Sequence, residues 1–159
     1  MTEPTSEVLL DGPGTWISAA TVADSKTYST SEVADFFGKS NQWVYWGMRN
    51  AVFIYPPDAP LVCGDTVVPQ SSSNPRGSVV AVSSDKAAVK WGNEEPEWED
   101  ASSLRKLIEP HRIGKGRRRF TLPIIREIAL SCLRRGNLKE DQLKEILRRI
   151  ELSSRGLPW

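Results

Sequence analysis

The residues best suited to chemistry lie in two places. Arg112-Ile113-Gly114-Lys115-Gly116-Arg117-Arg118-Arg119-Phe120 gathers five cations around two glycines and closes on an apolar residue able to re-enter a core. Glycine lets a backbone approach a ligand closely, and three successive arginines repel one another unless an anion lies among them. Such a loop suits a nucleic-acid backbone or minor groove. The competing reading is a solvated charged surface. The second place is Ser40, Asn41, Gln42, Tyr45, Trp46 and Arg49, which share the polar side of a short helical stretch. Asn and Gln make bidentate contacts to adenine edges, and a helix N-terminus favours phosphate. Asn41, Gln42, Tyr45 and Arg49 are therefore candidates for base or groove contact, with Trp46 beside them and Lys39 and Ser40 at adjacent phosphates. Arg112, Lys115, Arg117, Arg118 and Arg119 are the candidates in the loop. Trp43 and Trp46 share the helix, and at least one of them must be buried.

Other chemistries find little support. His111 is the single histidine, so no Ser/His/Asp set forms without it, and its place beside the basic loop suits phosphate contact or solvent better than acid–base work. No glycine-rich phosphate loop follows a strand, and the carboxylates between 85 and 100 lack metal-loop spacing. Cys63 and Cys132 have neither metal nor redox spacing and are expected as buried thiols in a reducing compartment. Neither catalysis, nor a metal, nor a cofactor is expected. No apolar run reaches membrane-spanning length, and Glu3 and Glu7 stand where a secretion signal would carry bases, so a cytoplasmic location without membrane contact is expected.

The net charge of +1 conceals a division. Residues 1–25 hold four acids and no base, residues 61–104 seven acids against three bases, and residues 105–119 seven bases against Glu109 alone. A localised anion-binding face is implied, with nucleic acid as the first partner to test.

The elements that must position these residues follow from local signals. Residues 1–26 are rich in Thr, Ser, Pro, Gly and Ala and read as a flexible tail, with Val8-Leu9-Leu10 and Trp16-Ile17 as segments able to pack. Ser29-Thr30-Ser31-Glu32 is a capping box opening a helix with Val33, Ala34, Phe36 and Phe37 inside. Gly38 ends it, and Ser40 caps a second helix to about Met48 or Arg49. Ala34, Gly38 and Val44 have the A-x3-G-x5-V spacing of a helix-turn-helix, although an ordinary helical hairpin shares it. Phe53-Ile54-Tyr55 reads as a short strand before the prolines at 56, 57 and 60. Residues 61–107 then change to short β segments (64–68, 77–82, 86–91 and 97–99), which fit a small closed barrel better than an open sheet. Thr121 and Pro123 open a third helix with Ile125, Ile128, Ala129, Cys132 and Leu133 on one face. After Gly136 a fourth begins at Asn137 or Leu138, and its Leu143, Ile146, Leu147 and Ile150 suit either a core or a dimer seam.

The run from Tyr28 to Ser40, followed by Trp43-Val44-Tyr45-Trp46-Gly47-Met48-Arg49, resembles the helix-turn-helix opening of MerR-like winged-helix proteins encoded by bacteriophages of actinobacteria. Residues 114–132 resemble the wing return and third helix of the same group. The resemblance covers roughly residues 27–60 and 108–152. It implies an α+β winged helix-turn-helix protein that binds double-stranded DNA, with the second helix in the major groove and the basic hairpin on the backbone. Residues 27–60 plus 108–157 would form that domain. Residues 61–107 would be an insertion in the wing, similar to SH3-like or Tudor-like barrels. Its acidity disfavours DNA and favours a protein contact, such as the host transcription machinery, or else marks a tolerated insertion. The expected role is transcription regulation. The alternatives are an excisionase-like architectural protein that bends DNA, or an interaction module acting through the barrel. Metal- or drug-responsive behaviour is not expected.

Overall fold

The computed structural model describes residues 26–113 and 117–159. The expected tail before Lys26, with Val8-Leu9-Leu10 and Trp16-Ile17, lies outside the described residues, as do Gly114, Lys115 and Gly116. Helix α1 (Thr30–Phe37) opens on Ser29, whose Oγ accepts from the Glu32 N–H at 3.2 Å while Glu32 Oε1 accepts from the Ser29 N–H at 2.8 Å. Two otherwise unmatched amides are satisfied by this reciprocal pair. Gly38 turns the chain at a φ of 64°, where an L side chain is strained. Ser40 then accepts from the Trp43 N–H at 3.4 Å and opens α2 (Asn41–Arg49). Ala34 and Val44 are both buried, one on each helix. α2 crosses the core so closely that a Cβ on Gly47 would lie 2.2 Å from the Phe53 ring.

Beyond α2 the expected strand at 53–55 shrinks to a single bridge between Ile54 and Leu107. The Tyr55 N–H donates to Lys106 O and the Ile108 N–H to Phe53 O, both at 2.9 Å. Pro56 and Pro57, without amide donors, prevent the ladder from continuing. These bonds pair the segments by which the chain enters and leaves a five-stranded antiparallel sheet: β1 (Thr66–Pro69), β2 (Gly77–Ser83), β3 (Lys86–Trp91), β4 (Glu97–Asp100) and β5 (Leu104–Lys106), in spatial order β4-β3-β2-β1-β5. The expected closed barrel is corrected here, because the sheet is open with β4 and β5 at opposite edges. A 3-10 turn (Ala101–Ser103) carries the chain from β4 to β5, and strands of 4 and 3 residues offer little backbone with which to close it.

A two-stranded hairpin follows, β6 (His111–Ile113) and β7 (Arg117–Arg119), in the register His111 to Arg119, Arg112 to Arg118 and Ile113 to Arg117. Phe120 continues it by exchanging two backbone hydrogen bonds with Tyr28, at 2.7 and 2.9 Å. α3 (Leu122–Arg134) is capped by Thr121 and carries Pro123 in its first turn. α4 (Glu140–Ser154) begins later than the sequence suggests. Leu138 is instead buried ahead of it, and the Lys139 N–H donates to Gln142 Oε1 at 2.8 Å.

Among the described residues there are thus four helices, a five-stranded sheet and a hairpin, an α+β architecture. The main core joins Phe36, Phe53 and Phe120 to α3 and to Leu143, Ile146 and Ile150 of α4. Those α4 residues are therefore spent inside the chain. The sheet packs a smaller core of Val67, Val79, Ala87, Val89 and Leu104, and Ala51, Val68 and Leu107 form an apolar cluster between the two. Cys132 is buried as expected, and burial pushes its thiol up to about 11. Cys63 corrects the expectation of a buried thiol: it is exposed in the turn before β1, with Sγ 3.5 Å from Val80 O. No described helix is long and apolar enough to cross a membrane.

Candidate nucleic-acid interface

The turn at Gly38 presents α2 with Asn41, Gln42 and Arg49 exposed and Tyr45 half-buried. Ser40 is also exposed, with its hydroxyl engaged in the cap, and Lys39 Nζ stands 6.0 Å over the Trp43 ring. The two tryptophans divide the labour. Trp43 stacks on the core, its ring 5.2 Å from Phe37 and 5.5 Å from Phe53, whereas Trp46 is 41% exposed. An exposed indole beside Asn and Gln side chains offers a flat surface for stacking or groove contact.

Strand alternation and the cross-strand register put Arg112 and Arg118 on one face of the hairpin and Arg117 with Arg119 on the other. Arg112, Arg117 and Arg118 are exposed, and the Arg118 guanidinium lies 5.7 Å over the Tyr45 ring of α2. That cation–π contact brings helix and hairpin onto one face. Arg119 turns the other way, with Nε 2.9 Å from Thr27 Oγ1 and Nη2 3.0 Å from Thr27 O, tying the hairpin to the segment ahead of α1. Its role here is to hold the hairpin in place. Lys115 lies outside the described residues.

Arg112 and Arg118 face each other across the hairpin, an arrangement of like charges that destabilises a strand pair by itself. The compensating anion is Glu109. Burial raises its carboxyl above the ordinary range, while Arg76, Arg112 and Arg118 pull it back down. Arg76 reaches in from the residue before β2. Its Nη1 is 3.5 Å from Glu109 Oε2, and its Nη2 donates to the Met48 carbonyl in the last turn of α2. A cation at the negative end of a helix is electrostatically favoured. His111 is half-buried, and burial holds its pKa below the ordinary value, which disfavours the cationic form that phosphate contact would use.

Arg76 and Glu109 were missed by sequence reasoning. Glu109 had a visible signal, as the single acid among seven bases between 105 and 119. Arg76 had none, because only the folded sheet brings it to α2. Glu94, Glu95 and Glu97 are exposed in and just before β4, and bring negative charge to that edge of the sheet. Among the described residues no group of three or more His, Cys, Asp or Glu side chains could hold a metal ion.

The fold and site together define an α+β chain bearing a basic, aromatic face between a short helix and a hairpin. The chain belongs to the family described as Domain of unknown function (DUF7229), whose model matches residues 17–71 and 87–153. The match includes β1, β3, β4 and β5, so most of the sheet is part of the shared family region, and it breaks over the residues that contain β2. No curated protein and no solved structure matches the chain.

Proposed function

We propose that this protein binds duplex DNA as a winged helix-turn-helix regulator of transcription, with α2 in the major groove and the β6–β7 hairpin on the adjacent backbone. The observation that carries this reading is the Arg118–Tyr45 contact at 5.7 Å, which sets the hairpin face bearing Arg118 and its cross-strand partner Arg112 beside the helix. Asn41 and Gln42 lie at the start of the helix, where base edges would be read, and Arg49 stands at its far end. Arg112, Arg117 and Arg118 supply phosphate contacts, and Lys115, between them in sequence, is a further candidate. The likeness to MerR-like phage proteins supports the same reading and a site of action in the bacterial cytoplasm. The sheet is read as an open, SH3-like unit, supported by its five short antiparallel strands and by β5 returning beside β1.

The test is a salt titration of binding to duplex DNA. Replacing Arg117 and Arg118 with Ala is expected to weaken binding to every sequence and to flatten the log–log salt slope by about two units, roughly one per lost phosphate contact. Gln42→Ala is expected to relax preference at one or two base positions while nonspecific affinity stays the same. An unchanged slope in the arginine variant would rule out the hairpin as a DNA contact.

A further inference from the structure

We propose that the sheet is a working part of the nucleic-acid face, and that Arg76 is the positioning residue through which it sets the hairpin against α2. This inference rests on the DNA-binding reading for its significance, although the contact it concerns can be measured without DNA.

Three contacts and one charge attraction form a circuit. Arg76, the residue immediately before β2, donates from Nη2 to the Met48 carbonyl of α2. From Nη1 it reaches the Glu109 carboxylate at 3.5 Å. Glu109 stands just before β6 and is drawn electrostatically to Arg112 on β6 and Arg118 on β7 as well as to Arg76. Arg118 returns to α2 over Tyr45. Helix, sheet, linker and hairpin are therefore linked by four neighbouring side chains. The apolar cluster of Ala51, Val68 and Leu107 packs β1 and the residue after β5 to the segment after α2.

The energetics give Arg76 a definite task. The Arg76 and Glu109 side chains are 34% and 25% exposed, so the pair is partly shielded from solvent and screened less than a fully exposed one. Glu109 is one negative charge shared among three guanidinium groups. With Arg76 in place, part of its attraction is spent on the sheet, and Arg118 is free to stack on Tyr45. Without Arg76, the carboxylate can only turn to Arg112 and Arg118. Its negative charge then neutralises a hairpin cation and draws Arg118 away from the ring. The sheet thereby keeps the hairpin's positive charge available to phosphate.

The experiment is a double-mutant cycle with two readouts, using the full chain. The first is the side-chain NMR resonance of Arg118 Nε–H without DNA, which Tyr45 ring currents shift while the guanidinium lies over the ring. The second is affinity for duplex DNA across a salt series. Arg76→Ala is expected to abolish the ring-current shift, weaken DNA binding by about five- to tenfold and reduce the salt slope. Arg76→Ala combined with Glu109→Gln removes the released carboxylate, and is expected to restore the shift and return affinity to within about twofold of the parent chain. Thermal unfolding of each variant confirms that it is folded. The proposal is overturned if Arg76→Ala leaves the resonance in place, or if the double variant keeps the full loss of affinity, since Arg76 would then be touching DNA itself. If the parent chain binds no DNA, the function proposed above fails, and the resonance alone decides whether Arg76 positions the hairpin.

Discussion

The helical half of the molecule and the sheet differ in how each holds itself together. The helical half buries three phenylalanines below 2% exposure together with apolar residues from α1, α3 and α4. The sheet buries four small aliphatic residues and Leu104, with Leu61 and Trp91 partly covering them. A core of that size stabilises little on its own. The difference teaches that the sheet depends on its seam with the helices, namely the Ala51, Val68 and Leu107 cluster and the backbone bonds at Tyr55 and Ile108. The charge contrast runs along the same division, with acids concentrated on the sheet and bases on the hairpin.

This comparison can be broken by substitution. The largest effect is expected from Phe53→Ala, which empties the centre of the helical core and removes the ring under Gly47, at a cost of about 3–5 kcal/mol. A chemical denaturation midpoint close to that of the parent would show that the core lies elsewhere. Gly47→Ala comes next: the new methyl meets Phe53 at 2.2 Å, and overpacking of this kind costs about 1–3 kcal/mol despite alanine's better helix propensity. Val89→Ala, in the thinner core, is expected to cost about 1–2 kcal/mol and to lower the midpoint of a single transition. Two separate calorimetric transitions in that variant would mean that the sheet unfolds independently of the helices.

The smallest effect concerns His111. Burial holds its folded pKa below the ordinary 6.5, so as the pH falls through that value the unfolded chain takes up the proton first. Its contribution to stability is therefore intact above about pH 6.5 and lost progressively below it, toward the folded value. The drop in thermal midpoint between about pH 7.5 and about pH 5.5 should be smaller in His111→Gln than in the parent chain. Equal drops would place the imidazole in solvent.

What was legible in the sequence was local. The capping box at Ser29, the turn at Gly38 and the Thr121 cap depend on residues within four positions of one another, and each appears where its spacing puts it. β3 matches its expected range because turn residues bound it on both sides. The features that were not legible depend on distant partners. Gly47 reads as a flaw in a helix until Phe53 is packed beneath it, and Arg119 reads as one more basic residue until Thr27 accepts from it. β5 follows a 3-10 turn and pairs with a strand more than thirty residues earlier, a placement that no local pattern specifies. Within the candidate site, the exposed helix residues and the basic run were apparent from their types. Their meeting through Tyr45 and Arg118, and the part played by Arg76, required the fold.

The most direct test of the central claim is enrichment of the purified chain on randomised duplex DNA at near-physiological salt with excess competitor. A shared motif is expected, one that loses definition at one or two positions when Gln42 is replaced by Ala, and its symmetry will show whether one copy or two bind. Enrichment of no duplex would contradict the claim and leave the basic face to another anionic partner.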